Sequence, residues 1–154
     1  GPVNLNRLAV LRDLVDRPDL KYPAFVPAVP RALTAASGLF AAIRADVIWK
    51  VMAPREFFRF GGSYEGVAGV KEYTALLFSD YHLARLNPRT VTAKGEEVWG
   101  MFDAEALHRP SGRYVRFDIS LHWRMKDGQI AEQQCFFDTA SVLIQQGVLA
   151  TEAA

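Results

Sequence analysis

Apolar residues recur at helical spacing from the start of the chain. Leu5, Leu8, Leu11 and Val15 fall near one face while Arg7, Arg12 and Asp13 take the others, which predicts a helix over about residues 5–15 capped by Asn4 or Asn6. Pro18, Pro23, Pro27 and Pro30 each remove a backbone donor, so residues 18–30 read as a Pro-rich connector. From Arg31 to Arg44 the chain is rich in Ala and Leu and broken at Ser37-Gly38, the pattern of two short helical pieces covering a sheet. The β-rich run Val47 to Met52 stops at Pro54, and Phe57, Phe58 and Phe60 lead into Gly61-Gly62, predicting a strand, a loop and a short strand. Helical spacing returns at Val67, Val70, Tyr73, Thr74, Leu77 and Phe78, predicting a helix over about 67–80.

Beyond Pro88 the texture changes to β-like runs at 90–93, 98–106, 114–125 and 130–137. Lys94-Gly95-Glu96, Pro110-Ser111-Gly112 and Lys126-Asp127-Gly128 separate them as turns, which predicts an antiparallel meander. Asp138 is placed to cap a short helix through Ile144 that ends before Gly147. Helices first and strands afterwards define an α+β class, a curved sheet wrapped around N-terminal helices. Without repeats, residues 3–150 read as one domain; Gly1-Pro2 resembles a tag-cleavage scar and is set aside.

Composition narrows the function classes. Of 154 residues half are apolar and 23% charged, enough for a sizeable core in one domain. Eighteen Lys and Arg nearly cancel seventeen Asp and Glu, leaving no basic field to draw nucleic acid. No apolar run is long enough to cross a membrane and no signal peptide is evident, so a soluble, cytoplasmic protein is expected. The single cysteine, Cys135, excludes an intramolecular disulfide and a multi-thiolate zinc site. His82, His108 and His122 have no partner at metal-ligand spacing, and neither metal nor cofactor is expected.

Local motifs read mostly as structure. In Gly61-Gly62-Ser63-Tyr64-Glu65-Gly66 the Lys and Ser/Thr of a phosphate loop are replaced by Val67 and Ala68, and the nucleophile-elbow pattern fails at Glu65, so the stretch is a turn. Arg109, Arg113 and Arg116 surround a hairpin turn as a solvated charged tip.

An ordered set of segments resembles the nuclear-transport-factor-two-like superfamily, in its SnoaL-like and ketosteroid-isomerase-like branch. The set is Asp46-Val47-Ile48-Trp49, Phe60 to Gly66 leading into Val70-Lys71-Glu72-Tyr73, Lys126 to Ile130, and Phe136-Phe137-Asp138-Thr139-Ala140, within about residues 40–150. The resemblance implies a cone in which helices pack into a bent sheet around a deep pocket. It implies apolar substrates, polyketide-, steroid- or terpene-like, worked on by carboxylates or histidines. An acid kept in apolar surroundings has a raised pKa and can donate a proton, a logic for which ketosteroid isomerase is a standard case.

Carried over residue by residue, the acid seven positions after the Asp127-Gly128 turn falls on Cys135, the acid or histidine seven before it on Leu121, and the isomerase base near Val51. A one-residue bulge would bring His122 or Met52 into place instead. If Cys135 and Leu121 face inward, alternation brings Gln133, Phe117, Ile119 and Trp123 with them, and Trp49 and Val51 line the same space. Asp103 is the remaining carboxylate for the interior, on the strand where epoxide-hydrolase relatives hold an acid, although Met101 replaces the usual arginine two residues earlier. Asp103 and His122 are therefore the candidate catalytic groups. Two functions compete: an isomerase, cyclase, lyase or hydrolase acting on an apolar metabolite, and a non-catalytic binding or dimerising module. A homodimer is expected, since a bent sheet covered on one side leaves an outer face to bury.

Overall fold

Tight turns between long strands set the architecture. Asp127 and Gly128 take φ of 52° and 76°, the left-handed pair that a two-residue hairpin demands, and they join the two strands that carry most of the inner face. The computed structural model describes residues 42–150, in the order β1 (Ile43–Val51), β2 (Gly62–Glu65), α1 (Gly66–Asp80), β3 (Tyr81–Lys94), β4 (Glu97–His108), β5 (Arg113–Lys126), β6 (Gln129–Phe137) and α2 (Thr139–Gln145). One six-stranded sheet has the order β2-β1-β6-β5-β4-β3. β1 and β6 run parallel and the other neighbours antiparallel, so the sheet is mixed.

Three expectations need correction. The helix over 5–15 and the connector lie outside the described residues, as does most of 31–44, but Ile43 and Arg44 open β1 instead of closing a helix. The short strand expected before Gly61 is instead Gly62–Glu65, and Phe57–Phe60 belongs to the turns ahead of it. The run at 90–93 is only the tail of β3, which begins directly after α1 and passes through Pro88. A proline inside a strand is tolerated here because β3 is an edge, and the register slips between Leu83 and Arg85 and again between Pro88 and Thr90.

Rows of paired residues build the concave face. Trp49, Gln133, Trp123 and Val98 lie side by side across β1, β6, β5 and β4, and Val51, Cys135, Leu121 and Gly100 form the next row. A Cβ on Gly100 would stand 2.6 Å from the Phe102 ring and 3.3 Å from that of Trp123. The glycine thus leaves room for the edge-to-face contact between Phe102 and Trp123. Helix α1 covers this face with Val70 and Tyr73.

The opposite face carries charge. Glu132 meets Lys50 at 3.2 Å and Arg124 at 3.5 Å, while Arg85 reaches Asp103 at 2.9 Å and Glu105 at 3.3 Å. Alternation with period two produces both faces from the same strands.

Asp138 caps α2 as expected, its Oδ1 accepting from Ser141 N at 3.0 Å. Gln145 then docks the helix: its Oε1 accepts from Arg116 N and its Nε2 donates to Arg116 O, both at 2.8 Å. The last β5–β6 pair is Ile119 with Phe137, so the side-chain amide satisfies β5 backbone beyond the end of its neighbour.

Candidate functional site

A cavity of about 90 Å³ lies between the concave face, α1 and the turn before β2. Phe117, Ile119 and Leu121 of β5 and Gln133, Cys135 and Phe137 of β6 form its floor. Each set is spaced by two residues, so strand alternation alone aims all six the same way. Tyr73, Leu77 and Phe78 come from α1, Tyr81, Leu83 and Leu86 from the start of β3, and Phe58 and Phe60 from the turn. Ala106 and Val142 complete the lining.

The register is settled by Leu121 facing Cys135 directly across β5 and β6. No bulge turns His122 inward: β5 keeps its alternation through Leu121, Trp123 and Met125, and the one-residue shift leaves Ala131 of β6 unpaired between the Met125–Ile130 and Arg124–Glu132 pairs. His122 is on the outer face, stacked on Trp99 with ring centroids 4.2 Å apart, and its Nε2 lies 3.3 Å from Glu97 Oε1 without hydrogen-bond geometry. Asp103 is also outside, since Phe102 and Ala104 on either side of it are buried, and its carboxylate is held by Arg85. Met52, just past β1, is half exposed. The inward Asp103 expected from the sequence is thus not found, because β4 alternates in the other phase.

Five of the eight expected pocket residues line the cavity: Phe117, Ile119, Leu121, Gln133 and Cys135. Trp49, Val51 and Trp123 face the same way but are buried in the packing behind it, at 0%, 2% and 0% exposure. The aromatic wall was not foreseen. Phe58 and Phe60 follow a proline and carried no strand or helix period, and Tyr81 stands at a helix-to-strand junction where neither period applies. Tyr73 did lie on the apolar stripe of the predicted helix, the one usable signal.

Four polar groups reach this apolar space, and all are uncharged. The Trp123 indole can only donate, so its 2.8 Å bond fixes Gln133 Oε1 as the acceptor and leaves the amide hydrogens on Nε2 as what Gln133 offers. Burial pushes the Cys135 thiol up to about 12. Burial likewise raises the Tyr73 phenol far above its ordinary value, with the neighbouring Cys135 adding to the effect and Trp49 opposing it. The Tyr81 phenol is raised by burial too, against the pull of Gln146, whose Nε2 donates to its hydroxyl. Among the described residues, no Asp, Glu, Lys, Arg or His lines the cavity, and no three potential metal-ligating side chains come together. No helix among them is long and apolar enough to cross a membrane.

A bent mixed sheet with a cavity on its concave side, roofed by a helix, is the ketosteroid-isomerase-like cone. Solved structures share it: a protein with a ketosteroid isomerase-like fold from Catenulispora acidiphila, in complex with trimethylamine, superposes with a TM-score of 0.72 at 17% identity, covering 84% of this chain and 96% of that one. A candidate isomerase from Rhodopseudomonas palustris superposes with a TM-score of 0.70 at 20% identity, covering 80% and 93%. At such identities the likeness extends to the fold alone. Residues 34–133 match the model of the SnoaL-like domain, and the chain belongs to that family. A separate likeness is to a polyphosphate kinase of Burkholderia vietnamiensis, 53% identical over 48 residues. That stretch is 31% of this chain but only 7% of the kinase.

Proposed function

We propose that the protein binds a small apolar molecule in the cavity between α1 and the sheet, and that its described residues do not perform acid–base turnover. The carrying observation is the lining: the positions where the resemblance implies acids hold Leu121 and Cys135, and every polar group present is neutral near physiological pH. A general acid or base works best with a pKa near the operating pH, and none of these groups is so tuned. Asp103 and His122, on the outer face, cannot reach a ligand held inside.

The size of the space bears on the ligand. An engineered cavity of about 150 Å³ takes up benzene, so about 90 Å³ accepts a compact group or a small ring. A polyketide-, steroid- or terpene-like molecule, or a two-ring dye, would enter by one end, or side chains would move.

The test is binding of a neutral naphthalene dye, read by fluorescence enhancement, to the wild type and to Leu121→Trp. The indole should fill the cavity, and the overpacking cost of about 1–3 kcal/mol leaves a folded protein. Loss of dye binding with native circular dichroism supports the reading. Unchanged affinity places the dye elsewhere and overturns it.

A further inference from the structure

We propose that the end of the cone formed by the β4–β5 hairpin and the C-terminus of α2 docks on an anionic membrane surface, with its arginines on the lipid phosphates and its exposed aliphatic side chains among the first carbons of the acyl chains. Lying on a membrane differs from crossing it, and asks only for a patch where apolar area and positive charge coincide.

Apolar exposure is concentrated at this end. Of the seven large apolar side chains exposed among the described residues, Tyr114, Ile144, Val148 and Leu149 are four. Arg113 joins the two segments that carry them: its Nη1 donates to Gln145 O at 3.3 Å, and a Cβ on Gly147 would stand 2.9 Å from the same nitrogen. Ile144 precedes the first of these contacts, Val148 follows the second, and Tyr114 follows Arg113 itself. The turn after α2 is ordered, since Val148 N and Leu149 N both donate to Leu143 O, at 2.9 and 3.3 Å. Single exposed apolar residues are ordinary on a protein surface, whereas a cluster rimmed by cations marks a docking site.

Positive charge is left over at the same place. Arg109 donates to Phe78 O at 3.2 Å, as Arg113 does to Gln145 O, so each uses part of its guanidinium on the carbonyl end of a helix and keeps its other donors in solvent. Among the described residues neither of the two meets a carboxylate. The acids nearby are already engaged, Asp80 by Arg59 at 2.9 Å and Glu105 by Arg85 and Arg116 at 3.3 and 3.2 Å. Phosphate oxygens suit the free guanidinium forks, and acyl chains suit side chains that bring no polar group. Tyr114, with an apolar ring and a polar tip, suits the boundary between them.

The cavity adjoins this end. Phe78, which accepts from Arg109, and Tyr81, which pairs with His108 and packs 5.1 Å from its ring, both line it. Docking here holds an apolar cavity beside the phase in which apolar molecules dissolve, although the docking itself does not depend on the cavity being filled.

Co-sedimentation with vesicles of equal parts phosphatidylcholine and phosphatidylglycerol, and of phosphatidylcholine alone, tests the proposal. The chain should bind the first and not the second. Arg109→Gln and Arg113→Gln should each weaken binding by about fivefold. Val148→Ser with Leu149→Ser should weaken it by about tenfold. Arg109→Gln carries the charge arm should Arg113→Gln, which frees the Gln145 carbonyl, disturb α2. Placement is read separately: Cys135 is buried, so a cysteine introduced at the surface takes a polarity-sensitive dye selectively. The dye should shift to the blue on anionic vesicles in Val148→Cys and stay unchanged in Glu96→Cys, in the turn at the opposite end of β4. Absence of binding to anionic vesicles, equal binding to both compositions, or affinity insensitive to Arg109→Gln overturns the proposal. A blue shift in Glu96→Cys, or none in Val148→Cys, overturns it as well.

Discussion

Truncating Leu121 to Ala removes three carbon atoms from a side chain that is 5% exposed and stands opposite Cys135 on the cavity floor. At about 0.8 kcal/mol per buried carbon the transfer loss is about 2.4 kcal/mol. A cavity contribution adds to this because the neighbours do not close up: a space of about 90 Å³ already persists beside Leu121. The expected total is about 3 kcal/mol, within the usual range for such truncations. For a chain of this length that lowers Tm by about 6–12 °C. Thermal unfolding by circular dichroism, with and without the naphthalene dye, measures both halves of the prediction. The enlarged cavity should hold the dye more tightly, so that at a fixed dye concentration the variant recovers more of its Tm than the wild type gains. A loss below about 1 kcal/mol together with an unchanged dye effect would refute the argument, since Leu121 would then border neither a packed core nor the site.

Cys135 should resist a maleimide at pH 8 in the folded protein and react fully in denaturant, because the thiolate is the reactive form; prompt labelling of the native state would contradict its burial. As the folded thiol is raised to about 12 while the unfolded one titrates at about 8.5, the unfolded chain loses its proton first. Stability should therefore decline as pH rises from about 8.5 towards 12, and Cys135→Ala should flatten that limb in chemical unfolding. At the acid end, Arg59 beside Asp80, with Nε to Oδ2 at 2.9 Å, holds the Asp80 carboxyl below its ordinary value. That contribution is present above the unfolded pKa and is lost as pH falls through the folded one, so Asp80→Asn should shrink the acid-induced loss of stability. Asp103→Asn and His122→Gln should leave dye affinity unchanged, and a large loss in either would put the site on the wrong face. Light scattering at micromolar concentration is expected to give twice the monomer mass, with the sheet's outer face around half-exposed Trp99 as the surface to be covered; a monomer mass alone would count against it.

The meander, its turns and the capped last helix were readable along the chain because each rests on local chemistry. Turn glycines accept a left-handed backbone, Asp138 accepts the first amides of α2, and period two marks β4, β5 and β6 to within a residue or two. Leu121 opposite Cys135 was not legible in this way: a two-residue turn alone pairs Leu121 with Gln134, and the one-residue shift between the Met125–Ile130 and Arg124–Glu132 pairs brings Cys135 across from it. Which face each strand shows to the core is not local. Asp103 went outward with His122 because β4 and β5 are paired in one register, with Phe102 opposite Ile119 and Gly100 opposite Leu121, and a one-residue slip of β4 against β5 would have turned Asp103 inward while leaving His122 outside. Pro88 reads as a strand breaker until the sheet order makes β3 an edge. The same holds for the cavity. Whether Trp49, Val51 and Trp123 line a space or fill one depends on how α1 and the Phe58–Phe60 turn pack over them, and such packing is decided by contacts between residues far apart in the chain.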